Sequence, residues 1–124
     1  MARVELTDDA LEDLRDLDGS ARKIILKALK KLETAPDQYG QPLGSLPTGN
    51  LTGFRKLVVG RKAYRVIYWV REDESGEVDI VVVWVIAERA DDLAYQLAVG
   101  RLRTMAENDA AKEIEKMLVA VWNH

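Results

Sequence analysis

The sequence predicts an α+β fold, with an N-terminal helical hairpin packed on a small, mainly antiparallel sheet and additional helices towards the C-terminus. Three observations predict it. Apolar residues recur at helical spacing near both ends of the chain. Between them lie three segments rich in Val, Ile, Tyr and Trp, joined by short links. The chain has 124 residues, 48% of them hydrophobic, which suffices for one core and one domain.

Helix caps and apolar stripes predict the hairpin. After a short alternating segment at 3–6, Thr7 is a good N-cap for a first helix, whose stripe ends at Asp18. Ser20 is predicted to cap a second helix, which Pro36 terminates. The two stripes are Ala10, Leu11, Leu14 and Leu17, then Ile24, Ile25, Ala28, Leu29 and Leu32. Because the link is short, the two helices should be antiparallel.

The central part of the chain is predicted to form the sheet. Residues 38–50 are rich in Gly, Pro, Ser and Gln, which is typical of an irregular connection. Three strands follow over Phe54–Val59, Tyr64–Val70 and Val78–Ile86. The links between them favour an antiparallel meander.

Two further helices are predicted at the C-terminal end. Asp91 or Asp92 begins the third, and apolar residues at helical spacing predict a last helix over about 105–122. The chain is therefore divided into a main domain, residues 1–103, and an amphipathic helical extension of the same domain, residues 104–124.

The residue content excludes several kinds of chemistry. The sequence has no Cys, and its one His is His124. Thiol nucleophiles, disulfide frameworks, Cys/His zinc sites and Ser-His-Asp triads are therefore excluded. A net charge of −3 argues against a protein that coats nucleic acid through bulk positive charge. Since no segment resembles a signal peptide or a membrane span, we expect a soluble, cytoplasmic protein with no membrane partner.

Positive charge is concentrated in the strands. From residue 38 to residue 71 there are six Lys or Arg and no Asp or Glu. Arg65 lies in an otherwise apolar strand, where a guanidinium loses hydration unless an anion, or a carboxylate such as that of Glu88, compensates it. If Arg55 shares the sheet face of Arg65, and Arg89 lies at the next strand end, the three groups form a phosphate site. The alternative is that they only keep an exposed face soluble.

Three motifs then show a resemblance to a known family. They are Leu51–Lys56 (LTGFRK), Gly60–Tyr68 (GRKAYRVIY) and Val82–Arg89 (VVWVIAER), with Tyr95 six residues further on. In order and spacing they resemble the RelE/ParE superfamily of type II toxins over residues 2–102. The resemblance implies a compact α+β toxin with a RelB-like antitoxin as partner in a hetero-oligomer. RelE-type members are ribosome-dependent endoribonucleases that cleave mRNA, and ParE-type members inhibit DNA gyrase.

The resemblance also implies a site. The catalytic positions of the RelE pattern fall on Arg55, Arg65, Arg89 and Tyr95. Further basic residues are implied as substrate-binding: Lys56, Arg61 and Lys62. Leu57 stands where the pattern has a second basic residue, two positions after Arg55. The adjacent Lys56 is expected to face the opposite side of the sheet.

The chemistry needs neither a metal nor another cofactor, because RNA supplies its own nucleophile, the 2'-hydroxyl. Arginine suits stabilisation of charge on the phosphate. Tyr95 is a candidate base or a residue that stacks on a nucleobase, and packing on the sheet explains it equally well. The predicted function is metal-independent endoribonuclease cleavage of mRNA on the ribosome. The alternatives are a ParE-like or nuclease-deficient toxin that acts by binding protein, and an assembly subunit that uses its last helix.

Overall fold

The computed structural model describes residues 2–36, 39–46, 49–61, 63–88 and 93–107. The strands and the first two helices are, in chain order, β1 (Arg3–Leu6), α1 (Asp8–Asp16), α2 (Gly19–Thr34), β2 (Gln41–Pro42), β3 (Ser45–Leu46), β4 (Gly49–Asn50), β5 (Phe54–Val59), β6 (Tyr64–Glu72) and β7 (Val78–Glu88). A third helix, α3, covers residues 93–107. The predicted α+β class is confirmed.

Side-chain caps begin both helices of the hairpin. The Thr7 hydroxyl accepts a hydrogen bond from the Ala10 N–H at 3.1 Å, as its predicted capping role requires. The prediction that Ser20 caps α2 was wrong. Asp18 is the cap, and its carboxylate accepts the Ala21 N–H at 2.8 Å. Gly19 and Ser20 are therefore already inside the helix.

The main sheet has five strands in the order β1, β7, β6, β5, β2. The predicted meander is present, because β6 pairs antiparallel with both β5 and β7. The alternating N-terminal segment becomes the edge strand β1, which pairs parallel with the middle of β7. The short strands β3 and β4 form a separate two-stranded sheet.

Each face of the main sheet carries its own core. On the hairpin face, buried residues of β6 and β7 pack with residues of α1 and α2, and these are Val66, Tyr68, Val81, Val83, Ile86, Ala10, Leu14, Ile25, Leu29 and Leu32. On the opposite face, which we call the α3 face, the buried residues are Leu51, Phe54, Ile67, Val85, Ala87, Ala94 and Ala98. The sheet is thus covered on both sides. A strand residue therefore contacts either the hairpin or α3, depending on the face to which its side chain points.

The C-terminal part differs from the prediction at one point. Residues 93–107 form one continuous helix, so 105–107 continue α3 and do not begin a new helix. The Thr104 hydroxyl donates to the Gly100 carbonyl at 3.0 Å, which satisfies its polar group within the helix. The predicted start of the third helix at Asp91 or Asp92, and the predicted helix beyond 107, lie outside the described residues.

None of the helices in the described part of the chain combines the length and the apolar character that crossing a bilayer requires.

Candidate functional site

Two adjacent basic residues of β5 project to opposite faces of the sheet. Arg55 lies directly opposite Tyr68 on β6, and Lys56 lies opposite Ile67. Directly opposed residues of an antiparallel pair point to the same side. Since Tyr68 belongs to the hairpin-face core and Ile67 to the α3-face core, Arg55 is on the hairpin face and Lys56 on the α3 face.

Arg65 shares its face with Lys56. It lies opposite Val58 on β5 and opposite Ala87 on β7, and Ala87 belongs to the α3-face core. The expectation that Arg55 and Arg65 share a face was therefore wrong. The physical reason is the register, because Arg55 and Val58 are an odd number of residues apart and side chains alternate along a strand.

Tyr95 completes a group of three side chains on the α3 face. It is half-buried on α3, and the Lys56 Nζ lies 5.6 Å from the centre of its ring, in the geometry of a cation–π contact. Arg65 occupies the position diagonal to Lys56 across the β5–β6 pair, and its guanidinium donates to the Tyr64 carbonyl at 3.3 Å. We call Lys56, Arg65 and Tyr95 the α3-face site.

This arrangement combines two cations with one aromatic hydroxyl from three separate elements. A guanidinium binds phosphate oxygens through two parallel hydrogen bonds, and an ammonium contributes a compact positive charge. The Tyr95 side chain also packs against the α3-face core, as the packing interpretation of this residue requires, and its hydroxyl is a further group able to form hydrogen bonds. The site therefore has the chemistry for an RNA phosphate.

Arg55 makes a different set of contacts. Its Nη2 donates to the backbone carbonyls of Tyr39 at 3.3 Å and Gly40 at 3.1 Å. The buried Tyr68 hydroxyl donates to the same Tyr39 carbonyl at 2.7 Å. Burial raises the pKa of Tyr68, and the neighbouring Arg55 partly opposes this rise. Arg55 thus attaches the connection after α2 to the sheet.

The Tyr68 side chain also fills the space beside Gly40. Its φ of 79° is in the left-handed region, and a Cβ at this position would collide with the Tyr68 hydroxyl. The backbone that Arg55 holds can therefore carry no side chain at this residue.

The other predicted site residues have separate positions. Arg61 is exposed in the turn between β5 and β6, where its φ is 56° and that of Gly60 is 64°. Lys62 and Arg89 lie outside the described residues. Glu88 lies opposite Tyr64, which packs on the hairpin-face core, so it is on the other face from Arg65. No cluster of acidic, His or Cys side chains suitable for a metal ion occurs among the residues described.

An ion pair ties α3, which carries Tyr95, to the hairpin. The Arg101 guanidinium bonds both oxygens of Asp13 on α1, at 2.7 and 2.9 Å. It also donates to the Trp84 carbonyl at 2.8 Å, and Asp13 accepts the Ile86 N–H at 3.0 Å. Asp13 raises the pKa of Arg101 further by hydrogen bonding. Sequence analysis missed this pair, since its members are 88 residues apart.

The sequence comparison agrees with the fold. Residues 4–92 match the protein-family model described as the ParE toxin of the type II toxin–antitoxin system parDE. A comparison with curated proteins gives no match.

Several solved structures have a similar fold, and three of them are described here. The toxin–antitoxin complex RelBE2 from Mycobacterium tuberculosis is 26% identical, with a TM-score of 0.54 and coverage of 71% of this chain and 98% of that chain. A mutant of the E. coli toxin RelE in the free state is 22% identical, with a TM-score of 0.58 and coverage of 82% and 98%. The archaeal RelE–RelB complex from Pyrococcus horikoshii OT3 is 17% identical, with a TM-score of 0.50 and coverage of 73% and 97%. At their lower identity, the last two similarities concern the fold alone.

Proposed function

Because the chain belongs to the ParE toxin family of the RelE/ParE superfamily, and is a toxin of a type II toxin–antitoxin system, we propose that it is an endoribonuclease that cleaves mRNA on the ribosome. One observation carries this proposal. Lys56, Arg65 and Tyr95 come from three different elements and lie on one face of the sheet. Two cations beside an aromatic hydroxyl suit an RNA backbone.

In the proposed reaction, the 2'-oxygen of a ribose attacks the adjacent phosphorus. The bond from phosphorus to the 5'-oxygen breaks, the 2'-hydroxyl loses its proton and the 5'-oxygen gains one. The products are a 2',3'-cyclic phosphate and a 5'-hydroxyl. Arg65 stabilises the charge on the nonbridging oxygens, and Tyr95, held by Lys56, orients the scissile nucleotide. Arg89 stays a predicted member of this site on the strength of the resemblance.

The test is a translation reaction followed by primer extension on the mRNA. Wild-type protein should cut mRNA at the ribosomal decoding site, and Arg65→Ala should reduce the cut by about 10²-fold, the usual loss when a charge-stabilising donor is removed. Arg71→Ala is the matched control, because Arg71 is an exposed arginine of the same strand that bonds Asp79 at 2.7 Å. Intact mRNA with wild-type protein, or equal losses in the two variants, would refute the proposal.

A second function is favoured by one feature of the same face. Leu57, which stands where the RelE pattern has a second basic residue, lies opposite Val66 on the hairpin face, and Val58, opposite Arg65 on the α3 face, is neutral as well. β5 therefore contributes only Lys56 to the cations of the α3-face site. A toxin with this weaker cationic set can act by binding protein, as ParE-type inhibitors of DNA gyrase do. A supercoiling assay with purified gyrase separates the two functions. Inhibited supercoiling with intact mRNA would establish the gyrase function.

We also propose a RelB-like antitoxin as the partner in a hetero-oligomer, with ribosome and mRNA as the targets of the free toxin. The RelBE2 relative from Mycobacterium tuberculosis named above is a toxin–antitoxin complex. Carboxylates of the antitoxin would neutralise Lys56 and Arg65, so binding should weaken as salt concentration rises. Titration calorimetry at low salt and at about 1 M salt, where screening is nearly complete, measures this. An affinity that does not change would contradict the electrostatic account.

A further inference from the structure

An open groove runs between the start of α1 and one side of α3. Its volume is about 660 Å³. α3 lines it with Leu97, Gly100, Thr104 and Met105, and the sheet contributes Trp84. Met105 is 45% exposed, and Leu97 and Trp84 are only half-buried. The groove therefore leaves several apolar side chains uncovered.

The apolar lining continues as a stripe along α3. Leu93, Leu97 and Met105 are spaced by four and eight residues, so they lie on one side of the helix. Leu93 is 48% exposed. Between Leu97 and Met105, Gly100 is exposed, and a Cβ added there would meet no described atom within 4 Å. A second helix can therefore approach α3 closely at this point.

The charge at the rim of the groove disfavours RNA and an acidic protein as occupants. Asp8 and Asp9 line the groove from the first turn of α1, and both are exposed. Arg101, a cation in the lining, is already bonded to both oxygens of Asp13. A phosphate backbone, or carboxylates such as those proposed for the antitoxin, would be repelled by the two exposed aspartates. The occupant should therefore be apolar on one side and nearly neutral in charge.

Residues 108–124 of the same chain have these properties. They follow directly on α3, whose last described turn includes Met105 of the groove. Their apolar residues recur at helical spacing over 114–121. The segment carries two Lys and three acidic residues, so its charge is nearly balanced. Before the apolar stripe, Asn108 and Asp109 are residue types that turns and helix N-caps favour.

The lengths of the two elements also match. From Glu107 back to Leu93, α3 spans about 21 Å. A helix over 110–122 would span about 18 Å, so after a turn it can run antiparallel to α3 along most of the groove. Attachment to α3 gives the segment an effective concentration on the order of 1 mM, which favours it over the same segment of a second copy.

We propose that residues 108–124 fold back against α3 as an amphipathic helix and dock in this groove, which we call the α1–α3 groove. The apolar residues of 114–121 then cover Leu97 and Met105, and the segment holds α3 against α1. The proposal depends neither on nuclease activity nor on the antitoxin, because it concerns contacts within one chain.

The first experiment measures thermal unfolding of the full chain by circular dichroism. Leu118→Asp places a charge in the apolar stripe, and Tm should fall by about 6 °C, the shift expected when one buried Leu is lost from a domain of this size. Val119→Asp is the matched control, because it makes the same charge change at the next residue, outside the stripe. Its Tm should fall by less than about 2 °C. Equal shifts in the two variants, or no shift in Leu118→Asp, would overturn the proposal.

The second experiment identifies the occupant of the groove. The sequence has no Cys, so Gln96→Cys, at an exposed position in the groove, gives one site for attachment of a photo-crosslinker to the full chain. Gln96 lies about 18 Å along the helix from the start of the segment, so the segment reaches it only by turning back.

Cross-linking to residues 114–124 in a product of monomer mass supports the proposal. This product should be lost when Leu118→Asp is added and kept when Val119→Asp is added. Cross-linking in a product of twice the monomer mass, which marks a second copy in the groove, refutes the proposal. The absence of any cross-link to 108–124 refutes it as well.

Discussion

Replacement of Arg101 by Met should destabilise the protein strongly. The substitution keeps most of the aliphatic volume and removes the bonds to both oxygens of Asp13 and to the Trp84 carbonyl. The side chains of Asp13 and Arg101 are only 17% and 18% exposed. Removing one partner of a pair with this degree of burial leaves the other charge without compensation.

The magnitude follows from that burial. Breaking a fully buried pair costs about 3–5 kcal/mol, and the residual exposure here places the expected loss at the lower end, about 3 kcal/mol. For a domain of this size, each kcal/mol lowers Tm by about 4 °C, so Tm should fall by about 12 °C. The assay is urea unfolding followed by circular dichroism, with a thermal scan on the same samples.

Arg103→Met is the matched control, because Arg103 is exposed on the same helix. It should change the free energy of unfolding by less than about 0.5 kcal/mol. A double-mutant cycle with Asp13→Asn isolates the coupling between the two side chains, which should exceed about 1 kcal/mol. A loss below about 1 kcal/mol in Arg101→Met, or one equal to the control, would refute the reasoning, because it would mean that water replaces the pair at little cost.

Three further predictions concern the connection after α2, the phenol of β6 and the cap of α2. Gly40→Ala should lower the free energy of unfolding by at least about 2 kcal/mol, because its backbone is left-handed and the added Cβ collides with Tyr68. Gly44→Ala is the control and should be neutral in urea unfolding, since an added Cβ there meets no described atom within 4 Å. Because burial raises the pKa of Tyr68, the contribution of this group to stability should be constant below about pH 10 and be lost as pH rises through its folded-state value. Tyr68→Phe should lack this component of alkaline unfolding, and an unchanged pH profile would contradict the assignment. Asp18→Ala should lower the free energy of unfolding by about 1 kcal/mol, and Ser20→Ala by less than half of that. If thermal unfolding showed the larger loss for Ser20→Ala, Ser20 would be the cap.

The local elements were predictable because their signals are local. The cap at Thr7, the apolar stripes and the three strands follow from neighbouring residues, and the strand Phe54–Val59 has the predicted bounds. The strands β6 and β7 each extend two residues beyond the prediction, to Glu72 and Glu88. In β6 the added residues, Arg71 and Glu72, are exposed and charged, so the apolar pattern stops before the hydrogen-bonded ladder does. In β7 the added residues are the buried Ala87 and the exposed Glu88.

The faces of the strand residues could not be read from composition. Arg55 and Lys56 are adjacent cations, and only the pairing register decides which of them joins Arg65. That register sets Val59 opposite Tyr64, with four residues of sequence between them. The parallel pairing of β1 with β7 joins segments far apart in the chain, and the ion pair of Asp13 with Arg101 does the same. A single sequence contains no local signal for either.

The stretch of β7 that continues beyond the end of β1 is closed to further strands. β1 ends at Leu6, and its pairing with β7 stops at Val83. Beyond that point the carbonyl of Trp84 and the amide of Ile86, both partly buried, are occupied by a guanidinium and a carboxylate. A foreign polypeptide that tried to extend the ladder there would first have to displace two charged groups bonded to each other. Strand addition by another toxin molecule is therefore disfavoured along this stretch of β7, even when the chain accumulates at high concentration without its neutralising protein.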